Sequence, residues 1–170
     1  MRLIGLAGWS GSGKTTLITT LVPLLIGRGR TVSTIKHAHH SFDVDKPGKD
    51  SHVHRQAGAH EVLVTSAQRW ALMHELRGEP EPALRTLILR LAAVDLVLVE
   101  GFKRETHPKI EIRRAAVGKP LLYPEDRHIV AIASAPRLLG LPIPSVDLND
   151  VEAVADLIDQ FAVPVGEVVW

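Results

Sequence analysis

The chain has 170 residues, 45% of them hydrophobic, enough for one domain with a full core. Its 20 basic residues nearly balance 19 acidic ones, so no broad field directs it to nucleic acid or to an anionic membrane. The absence of cysteine excludes disulfides, thiolate metal sites and cysteine nucleophiles, and no apolar run reaches membrane-spanning length. Because the N-terminus enters a strand directly, a cytoplasmic protein without a cleavable signal is expected.

In chain order, residues 3–7 read as a first strand, followed by a glycine-rich turn. From Thr15 a helix is expected, with Leu17, Ile18, Leu21, Leu24 and Leu25 on helical spacing and an end at Gly27 or Gly29. Pro23 predicts a kink within it. Residues 31–35 alternate like a strand and deliver Lys36 and His37 at its end. Residues 38–57 are polar and read as a long loop of the functional kind. Two extended segments at 61–65 and 69–76 precede a helix at 82–92. The continuous apolar run 94–99 reads as a strand buried on both faces. Residues 109–113 alternate and are expected to pair with 120–123 as a hairpin. A buried strand at 129–133 follows, and Asn149 or Asp150 caps a last helix over 151–161. The alternation of strands and helices predicts an α/β fold, a single domain over residues 1–170 with a largely parallel sheet flanked by helices and a β-hairpin extension.

The turn reads Gly8-Trp9-Ser10-Gly11-Ser12-Gly13-Lys14-Thr15, the spacing G-x-x-x-x-G-K-[ST] between a strand and a helix. Glycines let backbone N–H groups converge on phosphate oxygens, and the helix N-terminus adds further donors and a partial positive charge. Lys14 can reach the β- and γ-phosphates of a nucleoside triphosphate, and the Thr15 hydroxyl can ligate Mg²⁺. That ion needs a carboxylate from a second strand. Asp95 and Glu100 flank the 94–99 run about 16 Å apart, so one of them at most stands beside the phosphates. Ligands of parallel sheets gather at the carboxyl ends of strands, which selects Glu100.

A second dense stretch runs from Lys36 to Arg55, with five of the nine histidines and three carboxylates. Three readings stay open there. His37, His39, His40, His52 and His54 could hold Zn²⁺ or Ni²⁺. Alternatively, Lys36, Lys49 and Arg55 hold phosphates while Asp43 or Asp45 orients water or a substrate hydroxyl. A solvated polar loop is the third. The guanine signature Asn-Lys-x-Asp is absent, and Ser134-Ala135 after the 129–133 strand could present backbone N–H groups to a purine oxygen.

Taken together, W-S-G-S-G-K-T-T, I-K-H-x-H-H, D-V-D-K-P-G-K-D-S, Q-R-W-A-L-M, L-V-E-G-F-K, D-R-H and D-L-N-D-V-E resemble the molybdopterin-guanine dinucleotide biosynthesis adapter family, MobB, over nearly the whole chain. One departure is Ala135-Pro136, where the family often carries an acidic residue. The resemblance implies a P-loop protein that binds GTP and Mg²⁺, hydrolyses GTP slowly, and acts with the guanylyltransferase that joins GMP to molybdopterin. Molybdopterin itself is a further expected ligand. The implied site comprises Gly11, Ser12, Gly13, Lys14, Thr15 and Thr16 on the phosphates, Thr15 and Glu100 at Mg²⁺, and Lys36, His37, Asp43, Asp45 and Lys49 along the rim, Asp43 and Asp45 being the catalytic candidates. A homodimer is implied, with the apolar tail and the 110–123 segment as its expected surfaces. A metal-delivery NTPase and a P-loop kinase of small molecules are the alternatives on the same residues.

Overall fold

The computed structural model describes residues 1–38 and 42–170, which divide into two compact units. The first joins Met1–His37 to Leu84–Trp170, and the second is Ala38–Ala83.

In the first unit, β1 (Arg2–Ala7) lies at the centre of a seven-stranded sheet. Parallel β5 (Leu96–Glu100) pairs along it on one side, from Arg2↔Leu96 to Leu6↔Glu100. On the other side, β6 (Lys109–Arg114) takes only its last half, from Gly5↔Lys109 to Ala7↔Glu111. The short β9 (Val163–Pro164) pairs antiparallel with its start. Outward lie β2 (Val32–Lys36) beyond β5, and β7 (Ile129–Ala135) then β8 (Ser145–Asp147) beyond β6. Apart from β9, every pairing in this sheet is parallel, so the carboxyl ends of β1, β2, β5 and β6 share one rim.

One face of the sheet is covered by α1 (Lys14–Gly27) and α4 (Val151–Phe161). Leu17, Leu21 and Leu25 recur every fourth residue and are buried against Ile4, Leu6, Ile110 and Ile112. Each such side chain contributes about 1.5–3 kcal/mol on burial. The Asp150 carboxylate caps α4 by accepting the Ala153 N–H at 3.0 Å, as the sequence leads one to expect. Helix α1 runs through Pro23 to Gly27. The opposite face is covered by α3 (Leu84–Ile88), shorter than the 82–92 helix expected, and by the C-terminal tail. Val168 is buried there beside Leu3, Leu84 and Ile88, and Val163 pairs with Leu3, so much of the tail serves this unit's own core.

The hairpin expected from 109–113 and 120–123 does not form. Residues 109–114 are instead an interior strand between β1 and β7. Its polar residues Lys109 and Glu111 are buried rather than solvated. Lys109, 1% exposed, pairs with Asp126 at 2.8 Å. The Glu111 carboxylate accepts the N–H groups of Leu122 and Tyr123 at 2.9 Å each, where a strand partner would have received them. A strand with one apolar and one internally satisfied polar face shows the same alternation as a half-exposed one.

The second unit does contain a hairpin. Here β3 (Glu61–Thr65) and β4 (Trp70–His74) pair antiparallel from Glu61↔His74 to Thr65↔Trp70. The 38–57 segment is not all loop, because α2 (Asp50–Gln56) forms within it. Among the described residues no helix is long and apolar enough to cross a membrane.

Candidate functional site

The site is built where β1 gives way to α1. Gly8 lies so close to β6 that a Cβ there would stand 2.4 Å from the Ile112 carbonyl oxygen and 2.7 Å from Ser12 Oγ. Gly13 caps α1 with φ of 94°, a left-handed conformation that side-chain-bearing residues disfavour. Between them the Ser12 N–H donates to the Trp9 carbonyl at 3.2 Å, and Ser12 is buried. The loop thus folds into a cup at the helix N-terminus, with Thr15 and Thr16 exposed in the first turn.

The Lys14 ammonium curls over this cup, donating to the carbonyls of Gly8 and Trp9 at 3.0 Å each and lying 3.5 Å from Ser12 Oγ. Its pKa is lowered, chiefly by burial, with Lys103 and Lys36 adding to the effect and Glu100 opposing it. A cation whose hydrogen-bond partners are all neutral oxygens, with other lysines nearby, is poised for an anion.

Glu100 closes the same rim from the end of β5, its side chain 12% exposed. The Thr15 hydroxyl lies 3.3 Å from Glu100 Oε1, and Lys36 Nζ lies 3.8 Å from Oε2. Adjacent ligands of an octahedral Mg²⁺ stand about 2.9 Å apart for metal–oxygen bonds of about 2.05 Å. A hydroxyl and a carboxylate at this spacing therefore fit a hard divalent cation. Asp95, at the opposite end of β5, is occupied by the Thr31 N–H at 2.8 Å and the Thr31 hydroxyl at 2.7 Å, as the strand-length argument requires.

His37 joins the rim through its N–H, which donates to the Glu100 carbonyl at 2.8 Å, and through its ring, 4.8 Å from that of Phe102. Lys103 Nζ lies 5.0 Å over the Trp9 ring, and Trp9 Nε1 donates to the Pro120 carbonyl at 2.8 Å. Gly11, Ser12, Gly13, Lys14, Thr15, Lys36, His37 and Glu100 are thus brought together in one unit.

The second unit gathers the remaining candidates around Arg55 of α2. Its guanidinium meets Asp43 at 2.8 Å, Glu75 at 3.0 Å and Asp45 at 3.6 Å. Arg55 is the first cause holding the Asp43 carboxyl below its ordinary range. Asp45, 6% exposed, also accepts the Ser51 hydroxyl at 2.8 Å. Lys49 stands exposed at the N-cap of α2. His39 and His40 lie outside the described residues. Among those described, no group of three His, Asp or Glu side chains is placed to hold a metal ion.

Sequence reasoning missed the contribution of β6. Arg114, at its carboxyl end, reaches the loop so closely that a Cβ on Gly13 would lie 2.9 Å from Arg114 Nε and 3.5 Å from Nη2. Placing 109–113 in the parallel sheet would have revealed this, since Arg113 and Arg114 then fall on the ligand rim.

A profile of the family described as molybdopterin guanine dinucleotide synthesis protein B matches residues 3–135. The chain is 48% identical over 159 residues to the molybdopterin-guanine dinucleotide biosynthesis adapter protein of Escherichia coli K12, covering 92% of this chain and 90% of that one. It is 42% identical over 163 residues to the protein of the same description from Haemophilus influenzae, covering 94% and 88%. Among solved structures, a molybdopterin-guanine biosynthesis protein B superposes with a TM-score of 0.71 at 27% identity, covering 93% of this chain and 98% of that one.

Proposed function

Because the chain belongs to the molybdopterin guanine dinucleotide synthesis protein B family and so serves molybdopterin-guanine dinucleotide biosynthesis as an adapter, we propose that it works as a GTP-binding protein. Its partner in this reading is the cytoplasmic guanylyltransferase that joins GMP to molybdopterin. The observation that carries the proposal is the convergence of Lys14, Thr15 and Glu100, with an ammonium over the loop and two oxygen ligands 3.3 Å apart beside it.

In this reading the N–H groups from Gly11 to Thr16 hold the phosphates, and Lys14 exchanges the Gly8 and Trp9 carbonyls for phosphate oxygens. Thr15 and Glu100 hold Mg²⁺, which when bound neutralises charge on the β- and γ-phosphate oxygens. Lys36 and His37 add positive charge and hydrogen bonds to the ligand. Water attacks the γ-phosphorus, whose bond to the β–γ bridging oxygen breaks to give GDP and inorganic phosphate.

The same reading includes a homodimer. The β3–β4 hairpin exposes Leu63, Val64, Trp70 and Leu72, with Trp70 67% accessible. Among the described residues neither outer edge of this two-stranded sheet is paired. Such a sheet is marginal alone in water, and a second copy of the hairpin would cover both the edge and the apolar residues.

Calorimetric titration with GTP and ATP, with and without Mg²⁺, tests the proposal. Saturable binding that favours GTP and tightens with Mg²⁺ is expected. Equal affinity for both nucleotides, or no effect of Mg²⁺, would contradict it.

A further inference from the structure

Strand β6 presents two arginines to the rim, and their environments differ. Arg113 continues the face of Lys109 and Glu111, and its Nη1 lies 3.3 Å from the Ser134 hydroxyl. Arg114 continues the face of Ile110 and Ile112, which packs against α1, and its guanidinium comes to rest against Gly13 at the helix N-terminus. Among the described residues it is the half-buried arginine that makes no hydrogen bond or ion pair, whereas Arg2, Arg30, Arg55 and Arg113 each have a polar partner. A guanidinium held without a carboxylate beside inward-turned backbone N–H groups adds a full charge to a region that already attracts anions.

The order of the strands says which end of a polyphosphate it meets. β1 carries the loop, β5 lies on one side of it and β6 on the other. Glu100 and Thr15 mark the β5 side as the metal side, where the β- and γ-phosphates belong. The chain of phosphates crosses the loop away from that side, so its nucleoside end comes to β6. We infer that Arg114 is a positioning residue that binds the α-phosphate of the nucleotide and leaves the transferred phosphate to Lys14 and the metal ligands. This inference rests on the nucleotide-binding reading above.

Charge-assisted hydrogen bonds of this kind set the expected scale at about 10- to 100-fold in affinity. The test is calorimetric titration of wild type, Arg114→Gln and Arg114→Lys with GTP and with GDP, alongside single-site GTP turnover and thermal melting. Arg114→Gln keeps most of the stem and is expected to melt with wild type. It should weaken GTP and GDP by the same factor, with turnover at saturating GTP changed by about twofold or less, and Arg114→Lys should recover part of the loss. Unchanged GDP affinity in Arg114→Gln overturns the inference. So does a loss confined to GTP and accompanied by slower turnover, which would put the guanidinium on the γ-phosphate. In both cases wild-type binding leaves the nucleotide reading standing, whereas a wild type that binds neither nucleotide overturns that reading and the inference with it.

Discussion

Acidification should weaken this fold through one buried imidazole. His107 is fully buried, and neither ring nitrogen has a hydrogen-bond partner. Its Nε2 would lie 2.4 Å from a Cβ on Gly5, so the ring fills the space beside β1. Burial, aided by Lys109 and His128 and opposed by Asp126, pushes its pKa from 6.5 down to about 4. The unfolded chain therefore binds a proton between these values that the folded chain refuses, and stability falls as pH drops through 6.5 toward 4. Linkage puts the full contribution at about 3 kcal/mol and the part lost between pH 7.5 and 5 at about 2 kcal/mol. Urea unfolding of wild type and His107→Leu at both pH values measures it. The variant should lose about 2 kcal/mol less than wild type over that interval. At pH 7.5 it should be no less stable, since it removes two polar atoms that have no partner. The same acid loss in both proteins would refute the reasoning.

Glu100→Gln should lower Mg²⁺-dependent GTP turnover by about tenfold or more while changing GTP affinity little, because it weakens a metal ligand rather than the phosphate cup. Equal loss of turnover and binding would remove Glu100 from the metal site. Leu21→Ala, at a fully buried position on the inner face of α1, should cost about 2–5 kcal/mol in urea unfolding, and a cost below 1 kcal/mol would mean α1 is not packed as described. Trp70→Glu should shift sedimentation from dimer to monomer with nucleotide binding intact. An unchanged dimer would place the interface elsewhere.

Where local chemistry dictates local structure, the sequence is readable. The loop from Gly8 to Thr15, the separation of Glu100 from Asp95, and the Asp150 cap of α4 all follow from spacing or residue type alone. The dinucleotide-pathway assignment is legible too, though through whole motifs rather than any single contact. What escapes is structure set by distant partners. β6 alternates like a surface hairpin because Asp126 and the N–H groups of residues 122 and 123 satisfy its polar face from inside. α2 shows no apolar stripe, and none of its residues is buried, so hydrophobic periodicity gives no sign of it. Arg114 acquires its place only once β6 is set beside β1, across about a hundred residues of intervening chain.

Titration of Lys14→Ala against wild type tests whether this loop holds the phosphates of GTP through Lys14. Wild type is expected to bind GTP in the presence of Mg²⁺. Lys14→Ala, folded as judged by its melting curve, should lose about 100-fold or more in affinity, because one ammonium makes several charge-assisted bonds to the triphosphate. Binding of GTP by Lys14→Ala at wild-type strength would show that Lys14 does not hold the phosphates.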